Sequence, residues 1–263
     1  FFELSGLTAS EVGARHTRAL WLRGGFPASF SARSAQDSWE WRGNFIRTFL
    51  GRDLPDFGVR IPGTTLSRFW SMLASVHGQL LNWSELGRSM GANDHTVRRY
   101  VDVLAQTFMV RVLPPWAENI SKRQVKAPKA YLRDSGVLHH LLGVEDERSL
   151  LGHVAVGASW EGFVLEQILA VLRVGPGEAF FWRTQKGDEL DLLVMRGGKR
   201  LGFEMKFSSA PELTRSMQAA MRDLALDRLE VVHAGKHTFP MAPGIRALAF
   251  EHLHDALTQT RQR

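Results

Sequence analysis

The stretch GDELDLLVMRGGKRLGFEMKFS (187–208) holds three residues of the types that phosphodiester chemistry needs: Asp191, Glu204 and Lys206. Hydrolysis assisted by Mg²⁺ or Mn²⁺ calls for hard oxygen ligands and a positive group that orients water and stabilises developing charge. Asp191 and Glu204 offer two such ligands, the backbone carbonyl of Met205 a third, and Lys206 the positive group. Glu161, from a preceding helix, is the candidate that completes the set through a water.

Residues this far apart in sequence need a scaffold that brings them together. Leu190, Leu192 and Val194 alternate with polar positions, as do Leu201, Phe203, Met205 and Phe207, the pattern of two strands with one buried face. Gly197-Gly198 between them supplies the positive φ angles of a two-residue hairpin turn. Arg196 then faces Lys199, and counting back sets Asp191 opposite Glu204 and Glu189 opposite Lys206. All four share a face, with the apolar residues on the other. Directly opposed side chains have Cβ atoms roughly 4.5–5.5 Å apart, so two carboxylates there require a cation or a shared proton. A plainer reading makes Glu189 and Lys206 an exposed pair worth little, and Asp191 and Glu204 a solvated edge.

Around the hairpin the pattern is mixed. A helix from about Ser159 to Leu172 carries the stripe Glu161, Leu165, Ile168, Leu172, and a carboxylate heading an apolar stripe should be partnered. Ala179–Thr184 reads as a strand, 213–226 as a helix, and 229–233 and 245–250 as short strands, which makes an α/β domain with a mixed sheet. There are no repeats, and the only low-complexity stretch is the tail from Thr258 to Arg263.

The first half is helical. Helices are expected over 11–22, capped by Ser10, over 38–50 and over 65–76. A short helix over 84–90, a turn at Gly91-Ala92-Asn93, a second helix capped by Asp94 and ending near Gln106, and a strand over 108–113 outline a winged helix-turn-helix. His95, Arg98, Arg99 and Asp102 fall on the outer face of its second helix, and Lys122, Arg123 and Lys126 form a basic loop suited to phosphates. From Gln79 to Tyr131 there are eight Arg/Lys against four Asp/Glu. The bland alternative is a protein-docking module with solvated arginines. His139 and His140 are adjacent, point to different sides of a helix and make a poor metal pair.

The whole chain has 263 residues, 44% hydrophobic and 23% charged, values of an ordinary globular protein of one or two domains. No apolar run reaches the ~20 residues of a membrane span. With no cysteine there are no disulfides or thiolate zinc sites, which suits the cytoplasm. A net charge of +6 favours a polyanionic partner. The organisation expected is 1–30 as a tail or linker, 31–146 as a helical winged-helix domain and 147–263 as an α+β or α/β domain with a mixed sheet. A first residue of Phe suggests a fragment.

Asp191, a twelve-residue gap and Glu204-Met205-Lys206 resemble the D…ExK motif of the PD-(D/E)xK, restriction-endonuclease-like superfamily, with Glu161 at its helix-1 acidic position. The segments LWLRGGFP (20–27), FIRTFLGRDL (45–54), KAPKAYLRDSGVLHHLLG (126–143), WEGFVLEQIL (160–169) and FFWRTQKGDELDLLV (180–194) are similar to predicted prokaryotic AAA+ ATPases carrying the DUF4143 region. The resemblance implies a P-loop ATPase module preceding a winged helix and a nuclease-like domain, with FFELSGLTASEV as the tail of that module. No G-x-x-x-x-G-K-[ST] occurs, so an ATP site belongs to the missing module. The function implied is a DNA-binding, Mg²⁺- or Mn²⁺-dependent nuclease, with Asp191, Glu204, Met205 and Glu161 on the metal and Lys206 catalytic. The alternative is a non-catalytic DNA- or protein-binding module regulating its own ATPase. Oligomeric state is left open.

Overall fold

The computed structural model describes residues 5–117 and 126–261. The chain divides into two compact units, Phe1–Val112 with Ala130–Phe163, and Leu113–Lys129 with Val164–Arg263.

The first unit is built mainly of helices: α1 (Thr17–Arg23), α2 (Ala35–Thr48), α3 (Gly63–Ser75), α4 (Trp83–Met90), α5 (Asp94–Gln106) and α6 (Ser135–Leu141). The strands β1 (Val110–Leu113) and β2 (Lys129–Leu132) form a two-stranded sheet. The aromatic and aliphatic residues at helical spacing are core: Ile46, Phe49, Phe69, Trp70, Leu73, Val97, Val101 and Leu104 pack in one cluster. The expected 11–22 helix is interrupted, because Gly13 at φ 83 ends a first turn of Ala9–Val12 that Thr8, not Ser10, caps. Asn82 caps α4 by accepting from the Glu85 N–H at 3.2 Å. Asn93, rather than Asp94, caps α5 by accepting from the Thr96 N–H at 2.8 Å. Both Asx residues could cap, and the left-handed turn at Gly91 places Asn93 at the cap.

Helix α7 (Val156–Leu172) starts in the first unit and ends in the second. Leu165, Ile168 and Leu172 are buried as the stripe predicts, but Val164 and Leu169 are buried too. The helix is apolar on more than one side.

In the second unit a six-stranded mixed sheet has the order β3-β4-β5-β6-β8-β7: β3 (Ala179–Arg183), β4 (Glu189–Arg196), β5 (Lys199–Lys206), β6 (Arg228–His233), β7 (Phe239–Ala242) and β8 (Ile245–Ala249). The β3-β4, β4-β5 and β7-β8 pairs are antiparallel, whereas β5-β6 and β6-β8 are parallel. The β5-to-β6 crossover is made by α8 (Arg215–Asp223), capped by the Thr214 side chain at 3.2 Å from the Met217 N–H. Met217 and Ala220 of α8 pack with Leu190, Leu193, Leu229 and Val231 of the sheet. The last described element is α9 (Leu253–Arg261), which takes in most of the tail expected to be low-complexity. The edge strand β7 escapes a pattern reading because it is short and carries Pro240, which edge strands tolerate.

Candidate functional site

The site lies on β4 and β5. Gly197 and Gly198 take φ of 57° and 75°, the left-handed pair of a tight hairpin turn. Arg196 faces Lys199, and the ladder runs in that register through Val194–Leu201 to Leu192–Phe203. The regular pairing ends there, and β3 meets β4 with an irregularity at the same place, between the Phe180–Leu193 and Trp182–Leu190 pairs.

The two carboxylates are not solvated. Asp191 and Glu204 are each 7% exposed, which overturns the reading of a solvated edge. β4 and β5 are interior strands, and Leu190 and Leu193 are both fully buried in one cluster with α8. Two residues three apart in one cluster depart from strict alternation, so the expected division into an apolar and a charged face fails within β4. Interior strands of a mixed sheet are covered on both sides, so apolar and charged residues share a face.

The Met205 N–H donates to Asp191 Oδ2 at 2.9 Å. Lys206 Nζ stands 2.6 Å from Glu204 Oε1, its neighbour but one on the same face of β5. Glu189 pairs with Lys129, at 2.7 Å from Nζ to Oε1, and with Arg183 at 3.5 Å from Nη1 to Oε2. Glu189 thus has cationic partners on two other strands, beyond the Lys206 expected opposite it. Lys129 also stands 4.0 Å from Asp191 Oδ1, and its ammonium lies over the Phe181 ring. Three acidic groups, Glu189, Asp191 and Glu204, are matched by three basic ones, Lys129, Arg183 and Lys206. Burial pushes the Asp191 carboxyl above its ordinary range, against Lys129, Lys206 and the Met205 N–H, while Glu189 adds to the rise.

Lys129 is the residue that sequence reasoning missed. It is 3% exposed, at the head of a strand whose other residues are buried as well. A lysine at the head of the apolar run AYL is the signal that was available, because a buried ammonium demands acidic partners.

As donors, the oxygens of Asp191 and Glu204 are of the hard type that suits Mg²⁺ or Mn²⁺, which take one or two carboxylates and fill the rest of the shell with water and phosphate. Among the described residues no group of three or more His, Asp and Glu side chains stands together as a metal cage. Glu161 belongs to the first unit, where it accepts from the Tyr131 hydroxyl at 2.5 Å.

On the helix-turn-helix of the first unit, His95, Arg98 and Arg99 are all exposed on α5. The Arg98 guanidinium stacks 4.2 Å from the Trp83 ring centroid, which holds it against α4. Lys126 is exposed, while Lys122 and Arg123 lie outside the described residues. His139 is fully buried and hydrogen-bonded at both ring nitrogens, to Leu22 O and Ser159 Oγ.

A family of unknown function, DUF8612, matches residues 14–148, and a second such domain, DUF4143, matches residues 156–253. The chain belongs to the DUF8612 family. The DUF4143 likeness is thereby confined to the part holding α7 and the sheet, and the segments at 20–27, 45–54 and 126–143 fall within the DUF8612 match. The chain is 50% identical over 246 residues to the uncharacterized protein Rv2008c of Mycobacterium tuberculosis and, at the same identity, to the uncharacterized protein Mb2031c of Mycobacterium bovis. These matches cover 94% of this chain but 55% of each relative, so the chain spans about half the length of the curated relatives it matches. No solved structure matches. Among the described residues no helix is long and apolar enough to cross a membrane.

Proposed function

We propose that this chain is the DNA-binding, divalent-metal-dependent nuclease-like region of a larger AAA+ ATPase, acting in the cytoplasm and cleaving phosphodiester bonds at Asp191, Glu204 and Lys206. The observation that carries the reading is the pair of buried carboxylates, Asp191 and Glu204, on neighbouring strands of one hairpin, with Lys206 2.6 Å from Glu204. A fold with no such chemistry has little reason to bury two carboxylates on adjacent strands.

In this reading Asp191 and Glu204, with the Met205 carbonyl, would hold Mg²⁺ or Mn²⁺. A bound ion would supply Lewis-acid stabilisation and a bound water of lowered pKa. The chain's own part is to fix the Asp191 carboxylate through the Met205 N–H and to present the Lys206 ammonium where negative charge develops. The PD-(D/E)xK assignment of the sheet, the winged-helix assignment of α4 to β2 and an ATP-binding module outside this chain belong to the same proposal. His95, Arg98 and Arg99, with Lys122, Arg123 and Lys126, are the residues proposed to meet DNA phosphates.

Incubation with plasmid and linear DNA in Mn²⁺ tests this reading. Cleavage is expected from the wild type and not from Lys206→Ala. An inert wild type, or equal cleavage by both proteins, would sink it.

One observation favours a second reading, a non-catalytic module that binds DNA or protein and regulates the ATPase. The acidic groups already have cationic partners in Lys129, Arg183 and Lys206. Titration calorimetry separates the two, since absence of Mn²⁺ binding together with retained DNA binding selects the regulatory module.

A further inference from the structure

Lys129 lies outside the D…ExK pattern, yet its ammonium reaches both acidic residues of β4. Nζ is 2.7 Å from Glu189 Oε1 and 4.0 Å from Asp191 Oδ1, on a side chain 4% exposed. An ammonium this far from water stays charged by pairing with ionised carboxylates.

Asp191 divides its two oxygens between different partners. Oδ2 accepts from the Met205 N–H at 2.9 Å, and Oδ1 is the oxygen measured against Lys129. A divalent ion held by Oδ1 would stand next to the Lys129 charge. Two cations at such separations repel strongly where water is scarce.

Resting on the reading of Asp191 and Glu204 as metal ligands, we propose that Lys129 is an internal cation that competes with a divalent ion for Asp191. With no metal bound, its charge offsets the buried carboxylates. On metal binding the ammonium shifts away from Asp191 and stays on Glu189, its shorter contact. Arg183, 3.5 Å from the other Glu189 oxygen, keeps that carboxylate in place. Lys129 is therefore a positioning residue that sets how readily the site takes a metal.

The test is Mn²⁺ binding by titration calorimetry and by electron paramagnetic resonance of the free ion, on the full 263-residue chain. The proteins are the wild type, Lys129→Met, the double variant Lys129→Met/Glu189→Gln and Asp191→Asn. The double variant removes one charge of each sign, so it stays folded if the single change strands Glu189. Lys129→Met is expected to bind Mn²⁺ roughly tenfold or more tightly than the wild type, as removal of a nearby like charge should allow, and the double variant more tightly by a smaller factor, because it also loses the Glu189 anion. Asp191→Asn is expected to abolish binding. If Asp191→Asn abolishes binding but the folded Lys129 variants bind no tighter than the wild type, the competition is overturned and the metal site stands. If neither the wild type nor the Lys129 variants bind Mn²⁺, or Asp191→Asn binds as the wild type does, the metal site falls and the competition with it.

Discussion

Asp191 and Met205 are joined across the hairpin: the Met205 N–H donates to Asp191 Oδ2 at 2.9 Å. The hydrogen bond ties the first acidic residue of the motif to the backbone between Glu204 and Lys206. Structure and chemistry at Asp191 are therefore separable by substitution.

Asp191→Asn keeps an acceptor for the Met205 N–H, and Lys129 keeps Glu189. Asp191→Ala removes the acceptor, and a buried donor left unmade costs about 1–3 kcal/mol. Because burial raises the Asp191 pKa, its contribution is fully present below the ordinary 3.8 and is lost as pH rises through the raised value. Relative to the wild type, Asp191→Asn should thus gain stability as pH rises above the ordinary 3.8 and level off above the raised value. Urea denaturation at several pH values reads this, and a pH-independent difference would refute it.

The motif segments of the first unit form a lock. Asp134 Oδ2 accepts from the Gly25 N–H at 2.7 Å and Oδ1 from the Val137 N–H at 2.8 Å. Buried Arg42 donates to the Gly136 carbonyl at 3.0 Å and to the Leu22 carbonyl at 3.3 Å. A Cβ on Gly136 would collide with the Arg23 carbonyl oxygen, and one on Gly24, at φ +83°, with Asp134 Oδ1. Gly24→Ala and Gly136→Ala are each expected to destabilise by about 2 kcal/mol or more, since neither backbone can yield easily. Thermal melts that kept the wild-type midpoint would show that this close packing is not limiting.

How much of this was legible follows physical range. The hairpin register could be counted from sequence because two consecutive glycines and a two-residue alternation are local signals. The mixed sheet and the helix-turn-helix were legible for the same reason. The partner of Glu189 was not, because Lys129 reaches it from a distant segment that no periodicity links to the hairpin. Burial of the charged face was hidden as well, since it depends on β4 and β5 being interior strands. Asn93 against Asp94 as the helix cap was a choice between equivalent chemistries that the turn geometry decided.

Two buried histidines make stability depend on pH. His139 Nε2 lies 2.7 Å from Ser159 Oγ, which itself accepts from the Trp21 indole N–H at 2.9 Å. The serine proton is then directed at Nε2, leaving Nδ1–H for the Leu22 carbonyl and a neutral ring. His77 Nδ1 accepts from the Leu132 N–H at 3.0 Å. Burial lowers His139 from 6.5 to about 4 and His77 to about 3. The unfolded chain protonates both near 6.5 and the native state resists, so stability is full above that pH and is lost as pH falls toward about 4. Each shift corresponds to about 1.4 kcal/mol per pKa unit, enough for the two rings together to cost several kcal/mol. Chemical denaturation at pH 7 and pH 5 should show the drop. Equal stability at the two values would refute it.

The exposed face of α5 offers the cleanest test of DNA binding, because its changes leave the core alone. His95, Arg98 and Arg99 are exposed, and Arg98 is steadied over Trp83 at 4.2 Å. Surface substitutions of this kind usually shift stability by no more than about 0.5 kcal/mol. Arg98→Ala and Arg99→Ala should therefore melt close to the wild type while weakening binding to a labelled duplex. Removing one arginine that neutralises a phosphate should lower the slope of log K against log salt by about 1, uniformly across sequences. Trp83→Ala should act in the same direction by releasing the Arg98 fork, with a smaller effect than Arg98→Ala. Anisotropy titrations at three salt concentrations measure all three variants. Unchanged affinity and slope in the two arginine variants would move the DNA-binding surface off this helix.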